Sequence, residues 1–182
     1  MVWIKRAAFA VLGALACVHA TGAQASDRGW NKASTVGEAA LVGMALGLPL
    51  LEEDDGGLVQ AGASIGAAAI LSYGAKQAFP EWRPDHSDRR GFPSAHSAIA
   101  FSAAATLYNR HGWEVGVPAH IVAAFVATAR VQAHRHRWHD VLAGAAIGEL
   151  SGLLITRKQD DLVRLSPWAD LHGGGIALAT RF

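Results

Sequence analysis

At 182 residues the chain is long enough for one domain. Hydrophobic residues make up 51% and charged residues only 17%, against roughly 25% charged in ordinary soluble domains, and the mean hydropathy is +0.20. A net charge of +1 argues against the basic face of a nucleic-acid binder, and a single cysteine, Cys17, excludes an intrachain disulfide or a cysteine-based zinc site.

Residues 1–25 read as an export signal. Lys5 and Arg6 supply the positive start, Ala7 to Val18 the apolar middle, and Ala23-Gln24-Ala25 the small-residue cleavage site. An uncleaved first membrane helix is the other reading of this segment. Residues 27–32 form a polar linker, and 34–51 an apolar helix with Ser34 or Thr35 as N-cap and Glu38 in its first turn. Glu52-Glu53-Asp54-Asp55-Gly56-Gly57 is an acidic turn without the spaced ligands of a calcium loop. A second helix over 58–79 carries Gly62, Gly66 and Gly74, and Pro80 and Pro84 end it.

A charged loop, 80–93, leads to a third helix from Ser94 or Ala95 to about Tyr108. Residues 109–118 read as a turn around Gly112 and Gly116, followed by a fourth helix over 119–131 and a fifth over 138–155. The expectation is an all-α bundle of about five helices, six if the N-terminal segment is retained, occupying 26–158. These helices are near membrane-spanning length, and Trp82, Trp113 and Trp138 near their ends suit an interfacial belt or caps on the core. Loops 80–93 and 130–139 fall at one end of such a bundle, while Arg110, Arg157 and Lys158 fall at the other with Lys5 and Arg6, as the positive-inside rule asks. In the tail, 159–182, residues 160–168 look irregular and 176–182 alternate like a short strand.

The chemistry concentrates between Lys76 and Asp140. Lys76 and Arg83 stand seven apart, one at a helix end and one in the loop, so they can bracket a phosphate from two directions. Pro93-Ser94-Ala95-His96 opens a helix, where free N–H groups and the Ser94 hydroxyl favour an anion and His96 is placed to move a proton. His136 and Asp140, four apart, share a helix face, so the carboxylate can fix the imidazole tautomer. Arg130 precedes them at the end of the fourth helix.

Lys76-x6-Arg83-Pro84, Pro93-Ser94-Ala95-His96 and Arg130-x5-His136-x3-Asp140 together resemble the three-part signature K-x6-R-P, P-S-G-H and S-R-x5-H-x3-D. That signature belongs to the type 2 phosphatidic acid phosphatase and vanadium haloperoxidase superfamily. There are two departures: Ala95 stands for glycine and Ala129 for serine. The resemblance implies a phosphatase acting on a monoester or pyrophosphate, with His136 as nucleophile, Asp140 orienting it and His96 as acid and base. It implies Lys76, Arg83, Ser94, Ala95 N–H and Arg130 as phosphate holders, no metal or other cofactor, and vanadate bound as a phosphate mimic. The expected substrate is a lipid phosphate such as phosphatidic acid, phosphatidylglycerol phosphate, undecaprenyl pyrophosphate or a lipid A phosphate. The expected place is the inner membrane with a periplasm-facing site, or the periplasm. Oligomeric state is not legible.

Two other readings stand beside it. His134, His136 and His139 suggest a zinc hydrolase, although the order and helical flanks differ from known zinc hydrolases. Ala95 and Ala129 allow an inactive, anion-binding scaffold of the same fold.

Overall fold

The computed structural model describes residues 26–157 and the backbone of 163–170 and 173–180; the expectations for 1–25 and Lys158 fall outside these. The helices are α1 Asp27–Leu51, α2 Asp55–Ala78, α3 Ala95–His111, α4 Trp113–Gln132 and α5 Trp138–Ile155. They run alternately up and down, so the end of α2, the start of α3, the end of α4 and the starts of α1 and α5 meet at one pole.

Helix α3 sits at the centre and touches all four others. Its composition explains this place: Ala98, Ala100, Ala103, Ala104 and Ala105 are fully buried, as only small side chains allow when neighbours close in from every side. The main core packs Leu41, Ala45 and Leu48 of α1 against Leu107 of α3 and Val115, Val122 and Val126 of α4. Helix α5 meets α3 along Gly144, Gly148 and Gly152. A Cβ at Gly144 would land on the Ser94 carbonyl, and one at Gly148 on the Ala98 carbonyl. Ser97 Oγ then donates to the Val141 carbonyl at 2.7 Å across the same seam.

The opposite pole is tied by Arg110. Its guanidinium pairs with Asp54 and donates to Gln60 Oε1 at 3.0 Å and the Arg157 carbonyl at 3.1 Å. The acidic turn is therefore more than a solvated loop: Asp54 caps α2 by accepting from Gly57 N at 2.9 Å and holds a cation from α3.

Three helices, α1, α2 and α4, are long and apolar enough to cross a membrane. Val36, Val59, Ile70, Leu71, Ile121, Leu142 and Leu154 point outward and stay exposed, a surface that suits acyl chains better than water. Trp82, Trp113 and Trp138 are about half exposed or more, so they border this surface rather than cap the core.

The structure corrects the sequence reading at three places. Residues 27–32 are the first turns of α1, capped by the Ser26 hydroxyl, which accepts from Gly29 N at 3.2 Å. Helix α4 begins at Trp113, so the turn reduces to Gly112 at φ +82°, a left-handed conformation that suits glycine, and Pro118 lies inside the helix. Residues 163–170 form strand β1 (Val163–Asp170), paired antiparallel with β2 (Gly173–Thr180), where the sequence suggested an irregular segment and one lone strand.

Candidate active site

At the pole where α2 ends and α3 begins, the loop 79–94 folds back on itself. Arg83 N donates to the Asp88 carbonyl at 3.0 Å and Gly91 N to the Glu81 carbonyl at 2.8 Å. No side chain fits at Gly91, because its Cβ would stand 2.8 Å from the Glu81 carbonyl oxygen. Lys76, buried at the end of α2, fastens this loop by donating from Nζ to the carbonyls of Arg90, at 2.9 Å, and Pro93.

His136 is 2% exposed and held on both ring nitrogens. Nδ1 lies 2.7 Å from the Gly91 carbonyl, with Asp140 Oδ2 3.6 Å away. A carbonyl only accepts, so Nδ1 carries the proton and Nε2 keeps its lone pair. Nε2 faces Arg83 Nη1 at 3.4 Å. Burial, followed by the nearby Arg130, Arg83 and Lys76 cations, holds the His136 imidazolium below the ordinary 6.5, against the raising effect of Asp140. Asp140 is fully buried and tied into α5: Oδ2 accepts from Arg137 N at 2.7 Å, and its carbonyl accepts from Ser94 N at 2.9 Å. His139 Nε2 comes within 3.0 Å of Oδ1, off the line of a hydrogen bond.

Arg83 is fixed by Asp88, which accepts from Nε at 2.8 Å, and by the Arg135 carbonyl at 3.3 Å from Nη1. Ser94 is fully buried and caps α3, its hydroxyl accepting from Ser97 N at 3.4 Å; Ala95 follows as the first helical residue. Arg130 is 4% exposed and gives Nη1 to Asn31 Oδ1 and to Ser34 Oγ, the latter at 3.4 Å, while its Nε has no partner among the described residues. His96 stands in the first turn of α3, within electrostatic range of Arg130, His136, Arg83 and Lys76. All eight residues picked from the signature thus gather at one pole.

Three groups at this pole were missed from sequence. Asn31 and Ser34 of α1 hold Arg130, and Glu38 of α1 brings Oε2 to 3.4 Å from His96 Nε2. The three lie at i, i+3 and i+7 on one face of α1, a polar stripe that becomes readable once the helix is begun at Asp27.

His134, His136 and His139 do not share a focus. His134 pairs with Asp27 at 3.2 Å, His136 turns to Gly91 and Arg83, and His139 turns to Glu81 at 3.3 Å. Glu81, His139 and Asp140 do lie close enough to hold an ion, but the Arg137 guanidinium already occupies Glu81. His111 ends α3 with its side chain 11% exposed and Glu52 3.9 Å away.

A lipid A 1-phosphatase of Porphyromonas gingivalis is 33% identical over 137 residues, 73% of this chain and 25% of the relative. A lipid A 4'-phosphatase of Helicobacter pylori is 36% identical over 85 residues, 47% of this chain and 42% of that protein. The chain therefore matches 25% and 42% of the length of these curated relatives. Among solved structures, Aquifex aeolicus LpxE superposes with a TM-score of 0.61 at 21% identity, over 70% of this chain and 83% of that one. The transmembrane PAP2-type phosphatidylglycerolphosphate phosphatase of Bacillus subtilis gives 0.54 at 22% identity, over 83% and 93%. The model of the PAP2 superfamily matches residues 57–164, a stretch that takes in every signature residue and four of the five helices, wholly or nearly so. The chain belongs to the PAP2 superfamily.

Proposed function

We propose that this protein is a metal-independent phosphatase that removes a phosphate group from a lipid through a phosphohistidine. The observation that carries the reading is the setting of His136: a buried imidazole with Nδ1 on the Gly91 carbonyl, which leaves Nε2 with its lone pair turned to Arg83. Nε2 attacks phosphorus and the bond from phosphorus to the leaving oxygen breaks as His96 protonates that oxygen. His96 then takes a proton from water, whose oxygen attacks phosphorus and frees His136 and inorganic phosphate. Lys76, Arg83, Arg130, Ser94 and the Ala95 N–H stabilise the charge on the phosphoryl oxygens in both steps, the work a divalent ion does elsewhere. Vanadate is expected to occupy the same cradle as an inhibitor.

The lipid character of the substrate is supported by the apolar outer surface of the helices and by the lipid A phosphatases among the relatives. We place the site on the periplasmic face, because Arg110 and Arg157 lie at the opposite pole, where positive loops stay inside. The test is phosphate release by the detergent-purified chain from lipid A, phosphatidic acid and phosphatidylglycerol phosphate in the presence of EDTA. Release from at least one of them supports the reading. An inert protein across the set points to the scaffold alternative that Ala95 and Ala129 leave open.

The lowered pKa of His136 sets a pH dependence. An imidazole depressed below 6.5 stays neutral, and therefore nucleophilic, into more acid solution. The acid limb of kcat/KM is expected to fall below that value, measured as a pH profile on one soluble phosphate ester. A limb above it would mean that another group governs attack.

A further inference from the structure

Burial disfavours a positive imidazole at His96, and Arg130 from α4, His136 from the α4–α5 turn, Arg83 from the loop and Lys76 from α2 add to this by repulsion. Glu38, from α1, is the carboxylate that faces it: Oε2 stands 3.4 Å from His96 Nε2, with the Glu38 side chain 16% exposed. Nothing in the signature predicts this group, since α1 lies outside all of its segments and 58 residues separate the pair in sequence (96 minus 38).

We infer that Glu38 is a positioning residue that draws the Nε2–H of His96 toward its carboxylate and favours the charged imidazole against that burial and repulsion, so that Nδ1 can deliver a proton to the leaving oxygen. The inference rests on the phosphatase reading above. The same carboxylate and imidazole then serve the second step: Nδ1, deprotonated after the first, takes the proton from water while Nε2–H stays turned to Glu38. Ser34 and Asn31 sit one and two turns earlier on the same face and hold Arg130, so one stripe of α1 sets both the proton donor and a phosphate-holding cation.

Leaving-group dependence tests it. A lipid or alkyl phosphate expels a strongly basic alkoxide and needs the proton, whereas p-nitrophenolate leaves without one. Glu38→Gln is expected to lower kcat/KM, which reports events up to phosphoryl transfer onto His136, by about 10- to 100-fold on short-chain phosphatidic acid. On p-nitrophenyl phosphate the loss should stay within about 3-fold, as no proton is demanded there. The basic limb of the alkyl-ester profile should move to lower pH, because the imidazolium has lost its counter-charge. Glu38→Asp, which keeps the charge one methylene back, should recover part of the alkyl-ester rate, and it gives the same unequal pattern in milder form if the Gln variant does not fold. Equal losses on both esters, with no movement of the pH profile, overturn the inference and leave the phosphatase reading intact. A wild type that releases phosphate from neither ester overturns both.

Discussion

Replacing His136 by alanine is expected to lower the rate of phosphate release by about 10⁴-fold or more, while EDTA leaves the wild-type rate unchanged. The size follows from the geometry. Each neighbour of His136 acts through it or beside it: Gly91 and Asp140 set its tautomer, and Arg83 meets its free nitrogen. With the imidazole gone, these groups still hold a phosphate but have nothing to attack with, so binding outlives turnover. The His136→Ala protein should still bind vanadate with a weakened but measurable affinity. His96→Ala behaves differently, because His136 remains. With p-nitrophenyl phosphate it should show a burst of about one nitrophenolate per protein followed by stalling, since the base for hydrolysis of the phosphohistidine is missing. Turnover by His136→Ala near the wild-type rate, or a wild type silenced by EDTA, would refute the mechanism; the second result would direct attention to Glu81, His139 and Asp140.

The residues that gather at the active pole were legible as a group from sequence because they stand at short, fixed spacing. Arg83 sits just before Pro84, Ser94 and His96 share one helix start, and His136 and Asp140 share one turn, so local geometry joins each pair before the fold does. Glu38, Asn31 and Ser34 were not legible, because each meets its partner across helices rather than along one. A boundary error hid Asn31 as well. The polar run from Asp27 to Lys32 looks like a linker, yet at the active pole of this bundle a helix has reason to be polar, since it faces cations instead of acyl chains. Pro118 misled in the opposite direction. It forgoes one helical hydrogen bond, a loss of the kind packed neighbours override, so α4 runs through it to Gln132. The orienting partner of His136 was half legible: Asp140 is near, but the Gly91 carbonyl makes the shorter contact, and no side-chain pattern announces a backbone acceptor.

Alanine at Gly144 is expected to cost both stability and turnover, whereas alanine at Gly152 should cost stability alone. In an isolated helix either change gains about 1 kcal/mol, because glycine is the poorer helix former. In this bundle the new methyl meets α3. At Gly144 it falls on the carbonyl of Ser94, with Ser97 Cβ 3.1 Å away, and a backbone oxygen at a helix cap has no room to turn aside. Overpacking of this kind costs about 1–3 kcal/mol, which outweighs the propensity gain. The displaced cap carries more than stability, for Ser94 N donates to the Asp140 carbonyl and Ser94 leads directly into Ala95 and His96. Pushing α5 from α3 there moves Asp140 and His136 away from His96, and a shift near 1 Å is enough to lower kcat by about 10²-fold. Gly152 meets Ala105 Cβ and the Ser102 carbonyl at the far end of the same seam, more than two turns beyond the site. Its variant should melt at a lower temperature in detergent yet turn over substrate at the wild-type rate per folded molecule. Thermal melts and active-site-normalised kcat on both variants separate the effects; equal kcat losses at 144 and 152 would show that the seam acts as one rigid unit.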